Sequence, residues 1–393
     1  MKAKFKYIIV IALLVFAFLY LRYAPVREFY RITEYKGENN FDYRSPAHDS
    51  TKKTIVLVAD NQGTEIFDLL APFYLFSLTQ KANVYIVAQK KYPVIIRKGL
   101  YVLPQYTYQE IDSLNIHPAV IVIPRLSHAD KKPEDTSIIT WIRNKYVDST
   151  KILSVCWGSV TAAATGLYDG KSLTSHAIKF ESIKKQFPNP KWVKNISVTQ
   201  SGNMYSTAGV SNAVEGSLTI INDLFGEEAM KAVSDSIHYP YAKPKMAHQS
   251  IELTTGNNLT IAKKIYFKKN KKLGILIQDD IDEFKLATVL DTYHRTFPGS
   301  IETYTTSVKS VTTKHGLTII PTGDEKEIKN LDELHVLNST LISQPAQLAF
   351  DSTALVNYNS SDKEYMINLC LNRIKQQYGE KFENVVRVLL DYN

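Results

Sequence analysis

Cysteine is scarce in this chain. Its 393 residues hold two, Cys156 and Cys370, which excludes a disulfide framework. Paired metal-ligand spacing is missing as well. His128, His238 and His248 stand without histidine or cysteine partners at zinc intervals, so neither a metal nor a cofactor is expected. A net charge of +8 comes without a helix-turn-helix signature, zinc-finger spacing or an aromatic–basic module. The excess basic residues are spread along the chain, apart from Lys2, Lys4 and Lys6 and a cluster at 263–272, and nucleic acid is not an expected partner. With 44% hydrophobic and 22% charged residues, the composition excludes global disorder, and the length favours two domains.

What is present begins with residues 7–21, apolar throughout and preceded by three lysines. Such a run is either a secretory signal peptide or an uncleaved signal anchor. It is slightly short for a span, but Lys6 and Arg22 can snorkel to the interfaces. The residues after it are bulky and Arg22 sits badly for processing, so a membrane anchor over 1–24 is favoured. The positive-inside rule then keeps the N-terminus cytoplasmic and the globular part outside. Cleavage would instead yield a secreted or periplasmic protein. Residues 25–50 read as a tether.

The first domain, 51–250, alternates apolar strands with helical patterns. Strands are expected at 54–59, 84–88, 119–124 and 152–155, helices at 66–78 and 137–146, and hairpins around Gly99 and Gly202. Continuous apolar strands alternating with helices predict a mainly parallel sheet covered on both faces. Ligands bind at the carboxyl ends of such strands, where Asp60 to Asp68, Pro124 to His128 and Cys156 all fall. The sharpest feature is Ile152-Leu-Ser-Val-Cys156-Trp-Gly158, followed by a small-residue helical run that closes at Gly166. A strand, a lone cysteine, a glycine and a helix in that order match the layout of a nucleophile elbow. A thiol there sits at a helix N-terminus, whose partial positive charge favours thiolate. The competing reading is one more buried cysteine at the end of a core strand.

An internal echo follows. Residues 218–239 align without gaps on 371–392, sharing a Gly-Glu break between two helices and a final tyrosine. Residues 97–104 are echoed by 314–321, and the first strand by 273–277, with a helix after it at 283–293. The second half, 270–393, therefore reads as a shorter copy joined by a lysine-rich connector at 263–272. It has no second cysteine elbow, which makes it a degenerate, non-catalytic repeat.

The elbow at Cys156, the segment Leu173-Thr-Ser-His176 and the Gly-Glu helix break together resemble the ThiJ/PfpI family. Within it they resemble the isonitrile hydratases and the amidase-like domains of GlxA-type regulators, here without a helix-turn-helix. The resemblance implies a flavodoxin-like α/β three-layer sandwich. The stretch Gly63-Thr-Glu-Ile-Phe-Asp68-Leu-Leu-Ala-Pro72 resembles the branch's Leu-Asp-x-x-Gly-Pro pattern, so the family's acid falls on Asp68, its nucleophile on Cys156 and its histidine on His176. The turn Ser206-Thr207-Ala-Gly209 resembles a further site strand. Two departures stand out. Trp157 replaces a small residue or histidine after the cysteine, and Pro124-Arg125 replaces a Gly-Gly pair whose amide helps bind an oxyanion. Arg125 is then a substitute charge or a surface ion-pair partner.

These residues define a candidate site: Cys156, Asp68 and His176 as catalytic groups, with Trp157, Gly158, Arg125, Thr207 and Gly209 lining it. Ionised, Asp68 would raise the thiol pKa; protonated, it would donate to the thiolate and lower it. His176 is a general base, an orienter or a hydrogen-bonded loop histidine. Glu65 is a competing acid expected at the surface. Two functions remain open. One is a cysteine-dependent hydrolase or lyase acting on a small carbon–nitrogen or carbonyl substrate. The other is a small-ligand-binding or sensory module that kept the pocket and lost the chemistry. The expected assembly is either a homodimer or an internal pseudo-dimer of the two halves.

Overall fold

The computed structural model describes residues 2–31, 34–43, 45–97, 99–127, 136–305, 310–323, 328, 330–338, 354–358 and 363–393; His128 lies outside them. A helix, Lys2–Phe29, opens the chain. Its segment Lys6–Glu28, with a mean hydropathy of 2.2, is long and apolar enough to cross a membrane. The helix passes through Pro25 and so runs into the stretch expected to be a tether. Arg22 donates to the Tyr266 carbonyl at 3.1 Å and also to the Lys268 carbonyl, which ties this end of the helix to the globular body.

Seven strands form the first sheet, in the order Val198–Ser201, Met204–Thr207, Lys151–Ser154, Val120–Ile123, Lys53–Ala59, Ala82–Ala88 and Tyr106–Thr107. The first pair is antiparallel and the rest are parallel, with Ile55 opposite both Val84 and Val120. Alternate residues of the central strand face opposite layers. Ile55 and Leu57 pack with Leu69, Phe73 and Leu218 of the helices Ile66–Leu78 and Ala213–Phe225. Val56 and Val58 pack with Ile142 and Ala162 of Thr136–Lys145 and Gly158–Ala164. The result is the sheet covered on both faces that the apolar strands predict, in the flavodoxin-like three-layer form that the resemblance implies.

Residues 272–357 build a second, four-stranded parallel sheet in the order Ser300–Tyr304, Lys272–Leu276, Glu333–Val336 and Ala354–Asn357. Backbone details recur in the two halves, at one constant spacing as far as Gly316 and at a shorter one for the final helix pair. Left-handed φ values occur at Gly63, Gln80 and Gly99, and again at Asp280, Phe297 and Gly316. Isolated bridges join Thr64 to Ile96 and Ile281 to Thr313. Glu65 caps the helix Ile66–Leu78 as Asp282 caps Glu283–His294. Gly226 (φ 89°) and Gly379 (φ 86°) open the helices Glu227–Ser236 and Glu380–Leu390.

The halves meet through these matching parts. Val94–Ile96 and Leu100–Val102 form the hairpin expected around Gly99, and Leu100–Val102 also pairs antiparallel with Thr318–Pro321, placing Ile319 opposite Val102. The two echoed segments therefore bind each other. Beneath them Ile66–Leu78 packs on Glu283–His294, with the Phe67 and Phe284 rings 5.6 Å apart, so one hydrophobic core runs through both halves. The lysine cluster at 263–272 is only partly a connector. A capping box of Thr254 and Asn257 starts the helix Thr255–Phe267, and Lys264 is buried there with its ammonium on the Phe297 carbonyl. Lacking a clean apolar period, this helix carried little sequence signal.

Because Phe284 is buried between the halves, Phe284→Ala is expected to destabilise the protein by about 3–5 kcal/mol. Its thermal unfolding, followed by circular dichroism, should lose both sheets at one lowered midpoint rather than melting the second half alone.

Candidate functional site

The site forms where the strand Lys151–Ser154 gives way to the helix Gly158–Ala164. Cys156 stands in the turn with φ 55°, a left-handed conformation that L-residues adopt only when surroundings enforce it. Gly158 is one such constraint. A Cβ on it would lie 2.1 Å from the Ile123 carbonyl oxygen, so only glycine lets the helix start this close to the neighbouring strand. Cys156 is 3% exposed, and the adjacent Trp157 backbone amide favours its thiolate slightly.

Two carboxyls stand beside the thiol, both from the start of Ile66–Leu78. Asp68 is buried, and its Oδ2 accepts from the Arg125 backbone N–H at 3.1 Å. Glu65, expected at the surface, is instead 2% exposed. It is the helix N-cap, its Oε2 accepting from the Phe67 and Asp68 amides at 2.8 and 3.2 Å. Its Oε1 lies 3.3 Å from Arg97 Nε and 3.5 Å from a terminal nitrogen of Arg295. Arg295, which also pairs with Asp291, comes from the second half. The usable sequence signal for Glu65 was its N-cap position before a largely apolar helix. Arg295 carried none, because its role depends on the two halves docking.

This charge arrangement separates the groups. Burial pushes the Cys156 thiol well above the ordinary range and the Asp68 and Glu65 charges add to that, against a smaller opposing effect of Arg125. Burial and the Glu65 charge likewise push Asp68 well up. Glu65 is also penalised by burial, but Arg97 and Arg295 outweigh the penalty and bring it down to about 2. Burial raises Asp291 to about 7, against the pull of Arg295.

A cavity of about 150 Å3 opens beside the sulfur, lined by Cys156, Trp157, His176 and Arg125 together with Tyr30, Phe297 and Leu389 from distant parts of the chain. The structure thus gathers four of the expected site residues around one space. Asp68 is not on the cavity wall. Gly158 and Thr207 also do not face the cavity, and Thr207 is buried at the end of its strand. Gly209 is covered by Asp391: a Cβ there would meet the Asp391 Cβ at 2.0 Å. His176 accepts from the Ile178 N–H at Nδ1 and donates from Nε2 to the Leu389 carbonyl, both at 3.2 Å. That network assigns the tautomer, and burial pushes the imidazole pKa down. Both nitrogens are engaged, so in this arrangement the ring orients the cavity wall. Trp157 carries the Arg125 guanidinium 4.4 Å and the Lys179 ammonium 4.0 Å from its ring centre, contacts of the cation–π kind. The Trp157 Nε1–H is buried with no partner among the described residues. No group of three or more potential metal ligands occurs among the described residues.

The position of the charges predicts the titration of the thiol. In the full chain carrying Cys370→Ser, alkylation of Cys156 by iodoacetamide should stay slow at neutral pH and accelerate only above the ordinary thiol range. Asp68→Asn removes a charge that raises the thiol pKa, and should move that profile to lower pH. A shift to higher pH would mean that Asp68 stabilises the thiolate.

Comparison with known proteins locates this geometry. A model of the DJ-1/PfpI family matches residues 52–223. Isonitrile hydratase of Pseudomonas putida is 26% identical over 177 residues, which cover 45% of this chain and 75% of that protein. Protein dj-1beta of Drosophila melanogaster is 25% identical over 146 residues, covering 37% of this chain and 75% of that one. Among solved structures, Drosophila DJ-1beta aligns with a TM-score of 0.43 at 21% identity, over 48% of this chain and all of its own (100%). A ThiJ/PfpI family protein from Pseudomonas syringae aligns with a TM-score of 0.41 at 21% identity, over 49% of this chain and 78% of its own.

Proposed function

We propose, from the premise that residues 52–223 are a DJ-1/PfpI family domain, that this protein is a membrane-tethered, cysteine-dependent hydrolase or lyase acting on a small carbon–nitrogen or carbonyl substrate. The observation that carries this reading is Cys156, held at φ 55° on a strand-to-helix turn and facing a cavity of about 150 Å3. The match to isonitrile hydratase favours a substrate whose electrophilic carbon is bonded to nitrogen.

At rest the thiol is neutral, so attack must be coupled to loss of its proton. Asp68, its own pKa pushed up by burial, is suited to that exchange. As the thiol adds to an isonitrile carbon, Asp68 relays the sulfur's proton to that carbon and a thioimidate forms; water then adds to the same carbon, the carbon–sulfur bond breaks, a proton returns through Asp68 to sulfur and a formamide leaves. Negative charge developing on the substrate meets the Arg125 guanidinium and the Trp157 indole N–H, both of which line the cavity. The apolar helix Lys6–Glu28 supports a membrane anchor, and Tyr30, just beyond it, reaches the cavity wall. In this reading the second half is a shortened copy of the first, and the two form an internal pseudo-dimer.

A second reading is favoured by the strongly raised thiol pKa and by the indole that narrows the cavity. It makes the protein a small-ligand-binding module without turnover. The two readings separate on one experiment. Full-length protein in a neutral detergent is assayed against a panel of small isonitriles, amides and 2-oxoaldehydes, with product followed by mass spectrometry. The hydrolase or lyase reading expects turnover that falls at least 100-fold in Cys156→Ala; turnover unchanged in that variant would overturn it. Saturable binding without turnover, unaffected by Cys156→Ala, would establish the binding module.

A further inference from the structure

The two halves enclose a second cavity at the place in the second half that corresponds to the cysteine site in the first. It measures about 230 Å3, and its lining includes Asp282, Lys285 and Lys314. By the constant spacing that relates the halves, these residues stand where Glu65, Asp68 and Arg97 stand in the first. The opposite wall also corresponds: Ser236 and Ile237 end the helix Glu227–Ser236, as Leu389 and Leu390 end Glu380–Leu390.

The charged groups are arranged differently. In the first half the cations are consumed, since Arg97 and Arg295 hold Glu65 and Arg295 also holds Asp291. In the second half a lysine replaces the buried acid, and neither Lys285 nor Lys314 forms an ion pair among the described residues. The carboxylate at the cap is already satisfied: Asp282 Oδ1 accepts from the Lys285 amide at 2.8 Å and Oδ2 accepts from the Tyr74 hydroxyl at 2.7 Å. Glu364, at the rim, accepts from Asn372 at 3.1 Å. Lys314 rests 5.7 Å from the Tyr74 ring centre, a weak contact that a ligand can displace. The lining also carries the apolar side chains of Leu78, Ile237, Met366 and Leu369.

Two lysines that form no ion pair among the described residues, in a lining whose two carboxylates are already hydrogen-bonded and which also offers apolar side chains, suit an amphipathic anion. We propose that this cavity is a second ligand site, distinct from the cysteine site, which binds a small organic carboxylate bearing an apolar or aromatic body. The carboxylate lies between Lys285 and Lys314, and its body lies against Leu78, Ile237 and Leu369. The inference stands on this cavity alone and survives failure of the catalytic reading.

The test uses full-length protein in a neutral maltoside detergent, with 4-fluorobenzoate as the probe and fluorine NMR as the readout. Neutral 4-fluorobenzamide reports partitioning into micelles. Saturable binding of the benzoate beyond that reference is expected. It should weaken at least tenfold in Lys285→Glu combined with Lys314→Glu, and more mildly in the paired Gln substitutions, which keep a similar length. Cys156→Ala should bind as the unmodified protein does. Binding no stronger than that of the amide would overturn the proposal, as would binding unchanged by the lysine substitutions in variants with an unaltered melting midpoint. Binding lost in Cys156→Ala would also overturn it, by placing the ligand at the cysteine cavity.

Discussion

A buried carboxylate held between two guanidiniums is the interaction on which this site depends. Glu65 caps the helix that carries Asp68, and it is held by Arg97 from its own half and Arg295 from the other. A charge removed from water is tolerated only when paired and hydrogen-bonded, so the helix start, the Gly99 hairpin and the end of Glu283–His294 must all arrive together. Once they do, Phe297 and Leu389 are in place as cavity walls, and the Leu389 carbonyl receives both His176 and Arg295. Docking of the halves and assembly of the site are therefore one event.

The same clamp distributes charge around the sulfur. With Glu65 ionised and its counter-charges committed to it, Asp68 is left beside a negative neighbour in a dry place and rises, and the thiol rises with it. The helix N-terminus at Gly158 works in the opposite direction, but burial and two adjacent carboxyls outweigh it. An activated cysteine is usually recognised by a lowered pKa; here the resting state is a protonated thiol next to a carboxyl that can exchange a proton.

Much of the fold was legible because its strands are short, continuous and apolar, separated by segments with a helical period. The turn at Cys156 was legible for a different reason: a strand, a cysteine, a glycine and a run of alanines leave little choice of local geometry. The echo between 97–104 and 314–321 pointed to matching parts, yet not to the direct pairing of Leu100–Val102 with Thr318–Pro321. The helix Thr255–Phe267 was obscured by its polar first turns and by lysines that suggested a linker. Glu65 was misplaced at the surface, since a charged residue ahead of an apolar helix is ordinarily solvated, and only the guanidiniums brought by tertiary contact allow it to be buried.

By itself, the sequence determined the parallel sheet, the apolar N-terminal helix, the position of Cys156 on a strand-to-helix turn and the presence of Asp68 in the first turn of the neighbouring helix. These follow from local period and local sterics, which act over a few residues. Tertiary structure alone decided that Arg295, Phe297 and Leu389 complete the cysteine cavity, that Asp391 covers Gly209, and that His176 spends both nitrogens on backbone groups. It also decided that a second cavity, with Lys285 and Lys314 in its lining, lies across the interface. Those facts depend on contacts between residues far apart along the chain, and such contacts exist only when both halves pack on one core.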